Sequence, residues 1–200
     1  MITVQTTPNP NALKFIVPDR WMNFVWECHD AKDAAKSDLA RDLFAIDGVV
    51  YMMFGYDFVS VSKRQDVAWD NLKGEVLEKI DEFLQRDVGL FETKDLPPMY
   101  QEKPSAEKGA SKGDSYIARE EREYNELELK IINVLEEKVQ PVLASHGGMV
   151  RFVSFCDGVV VLDLQGACKG CPSSAYTLKN GIENLLKYYF PEVSEVASVE

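Results

Sequence analysis

Apolar and polar residues alternate along the first part of the chain in a pattern that predicts a sheet covered by helices. Strands are predicted at Ile2–Thr6, Leu13–Val17, Val49–Phe54 and Phe58–Val61. Ser37 is placed to cap a short helix, and Asp66 is placed to cap a longer helix with apolar residues at three- and four-residue spacing. The order strand, strand, helix, strand, strand, helix is typical of an α+β domain.

The last part of the chain shows a second set of periodic segments. A helix is predicted from the apolar stripe Leu127, Ile131, Val134, Leu135, Val139 and Val142. Pro141 kinks this helix or ends it early. Strands at Met149–Phe155 and Val159–Leu164 are joined by Asp157-Gly158, a pair that suits a type I′ hairpin turn. A second helix carries an apolar face and stops at Pro191, and a short edge strand follows. That face comprises Ala175, Leu178, Ile182, Leu185, Leu186 and Tyr189.

Residues 93–115 break both patterns. This segment combines prolines and glycines with alternating charges and holds few apolar residues. Such a composition cannot bury enough surface to offset the entropy lost on ordering, which is typical of a flexible linker. The sequence therefore predicts an α+β protein of two small α/β-sandwich-like domains, at residues 1–92 and 116–200, joined by a flexible linker at 93–115.

Composition and charge exclude several classes of function. The 200 residues include 33 acidic and 22 basic side chains, a net charge of −11 that disfavours a nucleic-acid partner. No apolar run approaches the length of a membrane span, about 20 residues. Four cysteines are too few and too scattered for a disulfide-stapled secreted scaffold. We therefore expect a protein of a reducing compartment, a bacterial cytoplasm or, for a processed form, the mitochondrial matrix.

Cys168 and Cys171 are the one pair of cysteines close together in the sequence, and we predict that they carry the chemistry. They lie between a predicted strand and a predicted helix, and Pro172 suits the first helical turn. The amide groups and dipole of a helix N-terminus favour thiolate over thiol. Gly166 and Gly170 leave room for a bulky ligand. We expect both sulfurs to be accessible from solvent.

A CxxC pair alone is compatible with several kinds of site. A zinc site needs two further ligands, and His146 is the one imidazole nearby. A redox dithiol would make the protein a thiol–disulfide oxidoreductase, with Cys168 as nucleophile and Cys171 as resolving thiol. An iron–sulfur cluster usually takes four thiolates, which two copies of the chain supply if each contributes the pair. A plain interaction module with structural cysteines is a further alternative.

Two segments of the chain resemble a known family. Residues 166–174, Gly-Ala-Cys-Lys-Gly-Cys-Pro-Ser-Ser, and residues 177–183, Thr-Leu-Lys-Asn-Gly-Ile-Glu, resemble the C-terminal module of NifU-like (Nfu-type) iron–sulfur cluster proteins. Residues 5–15, Gln-Thr-Thr-Pro-Asn-Pro-Asn-Ala-Leu-Lys-Phe, resemble the N-terminal domain of the two-domain members. Residues 145–149 depart from the family pattern, because they lack the acidic residues that usually flank Gly-Gly. The insert around Arg20–Lys36 is also unusual.

The resemblance implies a non-enzymatic carrier or late scaffold. Such a protein binds an iron–sulfur cluster, commonly four-iron four-sulfur, between the subunits of a homodimer, with Cys168 and Cys171 as the ligands of each chain. It would receive the cluster from an upstream scaffold protein and pass it to apo-enzymes, such as aconitase-like dehydratases or lipoyl synthase. The N-terminal domain, which contributes no ligand, is then expected to recognise clients or the donor.

Ordinary structural roles are expected for the other candidate residues. Cys156, beside the hairpin turn, is interpreted as a small apolar filler, with supplementary ligation as the alternative. His146 is expected to cap a helix end. Lys169 either stabilises thiolate charge or is solvated. Cys28 and His29 adjoin Trp21, Phe24, Val25 and Trp26, which we interpret as core or as a loop packed on it, with a docking patch for a client as the alternative.

Overall fold

The computed structural model describes residues 1–19, 21–22, 24–86, 88–91, 123–169 and 172–199, with the backbone alone for residues 172–177. The predicted linker at 93–115 and Cys171 lie outside the described residues. The described part contains a five-stranded and a three-stranded sheet, both packed with helices, which confirms the α+β class. None of its helices combines the length and apolar character needed to cross a membrane.

The five-stranded sheet has the strand order β1-β2-β5-β4-β3. Its elements are β1 (Thr3–Thr6), β2 (Ala12–Ile16), β3 (Trp26–Cys28), α1 (Ala31–Ala34), α2 (Asp38–Phe44), β4 (Val49–Phe54), β5 (Phe58–Lys63) and α3 (Trp69–Leu84). β4 and β5 form the expected antiparallel hairpin. The four predicted strands and two predicted helices are confirmed. β3 and α1 were not predicted, because each is too short for its periodicity to be detected.

Helix α2 and the core of this sheet follow the predicted pattern. The Ser37 hydroxyl accepts a hydrogen bond from the backbone N–H of Ala40 at 3.4 Å, as an N-cap residue should. The fully buried apolar side chains come from β2, both hairpin strands and the helices that cover them. They include Phe15, Leu39, Leu43, Met52, Met53, Phe54, Val59, Val61, Val76 and Ile80.

The prediction that Asp66 caps α3 is wrong. Ala68 occupies the N-cap position and makes no side-chain cap hydrogen bond. The Asp66 carboxylate instead accepts a hydrogen bond from Arg64 Nε at 3.2 Å. The first residue of α3 is Trp69, whose ring lies 6.5 Å from that of Phe15, centroid to centroid. The start of α3 thus has a contact between Trp69 and Phe15 of β2, and no local side-chain cap.

The three-stranded sheet has the order β6-β7-β8. The elements of this part are α4 (Glu126–Val134), a π-helical turn (Leu135–Val139), α5 (Gln140–Ser145), β6 (Gly148–Cys156), β7 (Val159–Gly166), α6 (Pro172–Tyr189) and β8 (Glu195–Ser198). β6 and β7 are antiparallel, and β8 runs parallel to β7 at the edge. Asp157 and Gly158 have φ of 50° and 81°, as a type I′ turn requires, so the predicted hairpin turn is confirmed.

The predicted break at Pro141 takes the form of a π-helical turn that ends two residues earlier, at Val139. A proline has no N–H and its ring crowds the carbonyl one turn earlier, and a wider turn accommodates both defects. Gln140, which is 1% exposed, accepts a hydrogen bond through Oε1 from the backbone N–H of Val150 at 3.1 Å. This bond ties α5 to the beginning of β6.

Two residues predicted on apolar faces are not buried. Val142 is 54% exposed, and the adjacent Leu143 is 2% exposed in its place, because the π-helical turn shifts the apolar stripe by one position. Tyr189 is 45% exposed, and the adjacent Phe190 is buried where α6 ends. The core of this part otherwise follows the stripes. It includes Ile131, Leu135, Val139, Phe152, Leu162, Ile182, Leu186 and Val196.

The chain divides into two compact units. One comprises Met1–Val4 and Phe15–Asp114, and the other comprises Gln5–Lys14 and Ser115–Glu200. The segment between β1 and β2 thus groups with the C-terminal residues. The domain boundaries at 92 and 116 stay predictions.

Candidate functional site

Cys168 lies in a short turn between β7 and α6. β7 ends at Gly166, whose φ of 68° is in the left-handed region that favours glycine. The backbone N–H of Lys169 donates to the carbonyl of Gly166 at 3.0 Å and closes the turn. α6 begins three residues later at Pro172, as predicted. The sequence therefore places Cys168 between the end of a strand and the start of a helix.

The side chain of Cys168 is buried. It is 8% exposed and belongs to the apolar core of its unit. The expectation that its sulfur is accessible from solvent is therefore wrong. The turn folds inward over the core, which sequence spacing alone does not reveal. The neighbouring Lys169 is exposed.

The first residues of β6 form one wall around the Cys168 sulfur. Gly148 pairs with Gly166 across the β6–β7 ladder. A Cβ atom added to Gly148 would lie 2.3 Å from Cys168 Sγ, so this wall has no room for a side chain. The carbonyl of Gly147 accepts a hydrogen bond from the backbone N–H of Ala167 at 3.0 Å. Gly147 thus holds the turn through its carbonyl, and Gly148, the first residue of β6, faces the sulfur.

Asn9 contacts the same turn from a distant part of the sequence. Its Nδ2 donates to the carbonyl of Ala167 at 3.0 Å, and its side chain is 3% exposed. Its Oδ1 accepts from the backbone N–H of Asn11 at 2.9 Å, which fixes the orientation of the amide. Asn9 and Ala167 belong to the same compact unit. The sequence predicts only a turn at Asn9, because nothing local reveals a partner 158 positions away.

A largely apolar cavity of about 430 Å³ borders Cys168. Its apolar lining comes mainly from α5, α6 and the residue before α5. The lining includes Val139, Val142, Leu143, Leu178, Ile182 and Leu185. The lining also includes Lys138 and His146. Cys168 thus lies between a glycine wall and a largely apolar surface.

Cys28 lies in an environment that opposes metal binding. It is fully buried at the end of β3, and its Sγ donates a hydrogen bond to the carbonyl of Asp30 at 3.6 Å. Burial first, and then the charges of Asp33 and Asp30, raise the pKa of the Cys28 thiol from 9.0 to about 12. Because the thiolate is the metal ligand, a thiol that stays protonated at neutral pH is a poor one.

The aromatic residues beside Cys28 pack on the sheet, as expected for a core role. The ring of Trp26 stacks on Phe54 with centroids 5.2 Å apart and meets Phe91 edge-on at 4.8 Å. Phe24 is buried and lies 5.6 Å from Phe91. The ring of His29 lies 5.2 Å from that of Tyr51.

The structure contradicts the predicted role of Cys156 and places His146 at the end of a helix, as predicted. Cys156 is exposed at the hairpin turn, so its interpretation as a buried filler is wrong. The adjacent Asp157 accepts a hydrogen bond from its thiol, which raises the pKa of Cys156. His146 does end α5, but through its backbone N–H, which bonds to the carbonyl of Leu143 at 3.0 Å. A second group also bonds to the last turn of α5, because Lys14 Nζ donates a hydrogen bond to the carbonyl of Ala144 at 2.7 Å.

Within the described residues, no cluster of three or more His, Cys, Asp or Glu side chains is placed to hold a metal ion. Cys171, the second predicted ligand, lies outside those residues. The intrachain zinc site therefore has no support in the described part of the chain.

The described site is thus a cysteine turn between a strand and a helix in a small α+β unit. Family models give the particular family. The NifU-like domain matches residues 131–197, and the scaffold protein Nfu/NifU N-terminal domain matches residues 2–87. The chain belongs to the Nfu/NifU-like family.

Curated relatives match along nearly the whole chain. "NFU1 iron-sulfur cluster scaffold homolog, mitochondrial" from Homo sapiens is 38% identical over 99% of this chain and 71% of its own length. The protein of that name from Drosophila grimshawi is 34% identical over 99% of this chain and 61% of its own length. "NifU-like protein 4, mitochondrial" from Arabidopsis thaliana is 36% identical over 100% of this chain and 65% of its own length. The chain thus spans about two thirds of the length of these relatives.

A solved structure also resembles part of the chain. The solution NMR structure of a NifU-like protein from Saccharomyces cerevisiae is 26% identical, with a TM-score of 0.42. It covers 46% of this chain and 83% of that chain.

Proposed function

We propose that this protein is a non-enzymatic carrier or late scaffold for iron–sulfur clusters, with Cys168 and Cys171 as the cluster ligands of each chain. The observation that carries the proposal is the position of Cys168. It lies in a glycine-flanked turn directly before α6, within the residues that match the NifU-like domain. The relatives from Homo sapiens and Drosophila, whose names describe iron–sulfur cluster scaffold homologs, support the same role.

The number of thiolates that a cluster needs is the reason for proposing a dimer. A four-iron four-sulfur cluster is usually held by four cysteine thiolates, and the proposed site offers two in each chain. Two chains that meet at their cysteine turns supply the full set. The cluster then lies at an interface between subunits and is held by two short turns. Such a cluster is easier to release than one inside a closed cage, and release is what a carrier needs.

The proposed ligand Cys168 is mostly buried in its turn. Its side chain is 8% exposed, so the turn presents only a small part of it to a second chain. Burial keeps the unloaded thiol away from oxidants, because oxidation follows thiolate character and exposure. The start of α6 supplies amide groups and a partial positive charge that favour thiolates.

The first 92 residues are proposed to recognise donors and clients. Cys28, the one cysteine in this region, is buried and protonated at neutral pH, so this region contributes no ligand. Its proposed partners are an upstream scaffold protein and apo iron–sulfur enzymes. The names of the relatives place those proteins in mitochondria, which matches the second of the two expected compartments. A bacterial cytoplasm stays a prediction.

Anaerobic reconstitution with iron and sulfide tests the proposal. We expect the protein to turn brown, to give the Mössbauer spectrum of a four-iron four-sulfur cluster, and to shift from monomer to dimer on a sizing column. Holo-protein mixed with an apo four-iron dehydratase should restore the activity of that enzyme faster than free iron and sulfide do. A protein that stays colourless and reduces a disulfide substrate would instead be a thiol–disulfide oxidoreductase.

A further inference from the structure

We propose that Gly148 is a positioning residue for the Cys168 sulfur, and that the absence of a side chain at this position sets where the proposed cluster ligand lies. The inference rests on the proposed function. It concerns a residue twenty positions before the cysteine and outside the CxxC segment.

Space, and not backbone conformation, is what requires glycine at position 148. Gly147 has a φ of 72°, whereas the φ of Gly148 lies outside the left-handed region. An L-residue can therefore adopt the backbone of Gly148 without strain. What excludes a side chain is the 2.3 Å between an added Cβ and Cys168 Sγ. Cβ atoms essentially never approach another heavy atom within 3.0 Å.

A methyl group added at position 148 would displace the Cys168 sulfur, which is the atom nearest to it. The same Cβ would lie 3.2 Å from the carbonyl oxygen of Gln165 and 3.3 Å from Cys168 Cβ. Both contacts are tight and need shifts of only a few tenths of an ångström. The position of Gly148 is in turn fixed by its pairing with Gly166 and by the anchoring of Val150 to Gln140. A displaced sulfur matters because metal sites tolerate ligand errors of only about 0.2 Å.

The first test is the substitution Gly148→Ala in the whole 200-residue chain, with Gly181→Ala as the matched control. Gly181 lies on α6 in the same unit, and a Cβ added there meets nothing within 4 Å. We expect Gly148→Ala to weaken iron binding on anaerobic reconstitution about 10- to 100-fold, the usual effect of losing a group that orients a metal ligand. Gly181→Ala should bind iron like the wild type. Equal iron binding by the two variants overturns the proposal.

A double-mutant cycle tests the contact without any iron. Gly148→Ala should lower the melting temperature of the wild type. In a Cys168→Ala background, where Sγ is gone, about half or more of that loss should disappear, since residues in contact are energetically coupled. Additive losses overturn the proposal. Alkylation of Cys168, followed by mass spectrometry of its peptide, should also be faster in Gly148→Ala, because the sulfur is pushed out of its buried position.

The two experiments separate this inference from the proposed function. If the wild type takes up no iron while the coupling persists, the carrier function is wrong, and Gly148 positions a sulfur that is not a ligand. If the wild type takes up iron and Gly148→Ala does so equally well, the carrier function stands and the role of Gly148 is refuted.

Discussion

The turn around Cys168 and the strand around Cys28 both bury a cysteine, but only Cys168 is proposed as a cluster ligand. The two side chains are 8% and 0% exposed. Cys28 ends a strand whose residues pair with β4, so its backbone is held by a ladder on that side. Cys168 lies in a turn between elements, with Gly148 on one side and an apolar cavity on the other.

The charges around Cys28 sharpen this difference. Asp30 and Asp33 lie beside Cys28, and together with burial they raise the pKa of its thiol to about 12. A proton that is held so firmly keeps the sulfur from binding iron at neutral pH. Burial alone therefore does not separate a structural cysteine from a candidate ligand, whereas the local backbone and the nearby charges do.

The largest expected effect comes from removing the proposed ligands. Cys168→Ser and Cys171→Ser should each reduce bound iron to the background level after anaerobic reconstitution, because two chains then offer two thiolates in place of four. Circular dichroism should show that both variants stay folded. Cys156→Ser is the matched control, since Cys156 is an exposed cysteine of the same unit. Full iron binding by either ligand variant would break the comparison with Cys28.

The next effect concerns the anchor of β6. Gln140→Leu leaves the N–H of Val150 buried without its acceptor, which should lower the free energy of unfolding by about 1–3 kcal/mol. Gln85→Leu, at an exposed glutamine of the other unit, should change it by less than about 0.5 kcal/mol. Urea denaturation of both variants provides the measurement. Equal effects would show that Gln140 does not anchor the strand that faces Cys168.

Cys28 itself should matter for stability and not for iron. Cys28→Ser should lower the free energy of unfolding by about 1 kcal/mol, because a buried hydroxyl replaces a thiol and keeps only the Asp30 acceptor. Iron uptake should be unchanged. Reduced uptake would show that Cys28 is a ligand and would remove the contrast between the two regions.

The raised pKa of Cys28 also predicts a pH dependence. In the folded state the pKa of this thiol is about 12, whereas its ordinary pKa is 9.0. The unfolded chain therefore releases the proton first, and this contribution to stability is lost as the pH rises from about 9 through 12. The urea midpoint should fall less between pH 8 and pH 10 for Cys28→Ser than for the wild type. Parallel losses would contradict the assigned pKa.

The smallest effect involves a carboxylate that joins α6 to β8. Glu183 accepts hydrogen bonds from Lys187 at 2.6 Å and from the backbone N–H of Val196 at 3.0 Å, which lowers its pKa. Its contribution to stability is therefore present above its ordinary pKa of 4.5 and is lost as the pH falls through the lower, folded value. Glu183→Gln should lower the melting temperature at pH 7 and lower it less at pH 3.

Glu126→Gln is the matched control for this variant. Glu126 pairs with Lys130 on α4, also four residues along a helix, and that pair is exposed. The control should lower the melting temperature less than Glu183→Gln does. Equal shifts would mean that the bond to Val196 contributes nothing.

Local patterns explain which features the sequence predicted. The hairpin turn at Asp157-Gly158 and the cap at Ser37 depend on neighbouring residues, and both are confirmed. The contacts of Gly148 and Asn9 with the cysteine turn join residues twenty and 158 positions apart, so no local pattern contains them. The burial of Cys168 was missed for the same reason, because it depends on how the turn folds onto the core.

Deviations from regular geometry account for other errors. The π-helical turn at Leu135–Val139 moves the buried position from Val142 to Leu143, and a count based on 3.6 residues per turn cannot foresee it. The family motif at residues 166–174 indicates the proposed site more directly than any periodicity, because it consists of specific residue types.

Native mass spectrometry of the holo-protein, prepared without oxygen, tests the central claim most directly. One spectrum gives the number of chains, irons and sulfides in the same particle. The account predicts two chains with one four-iron four-sulfur cluster, and loss of the cluster together with dissociation into monomers. A single chain that retains all of its iron would contradict it.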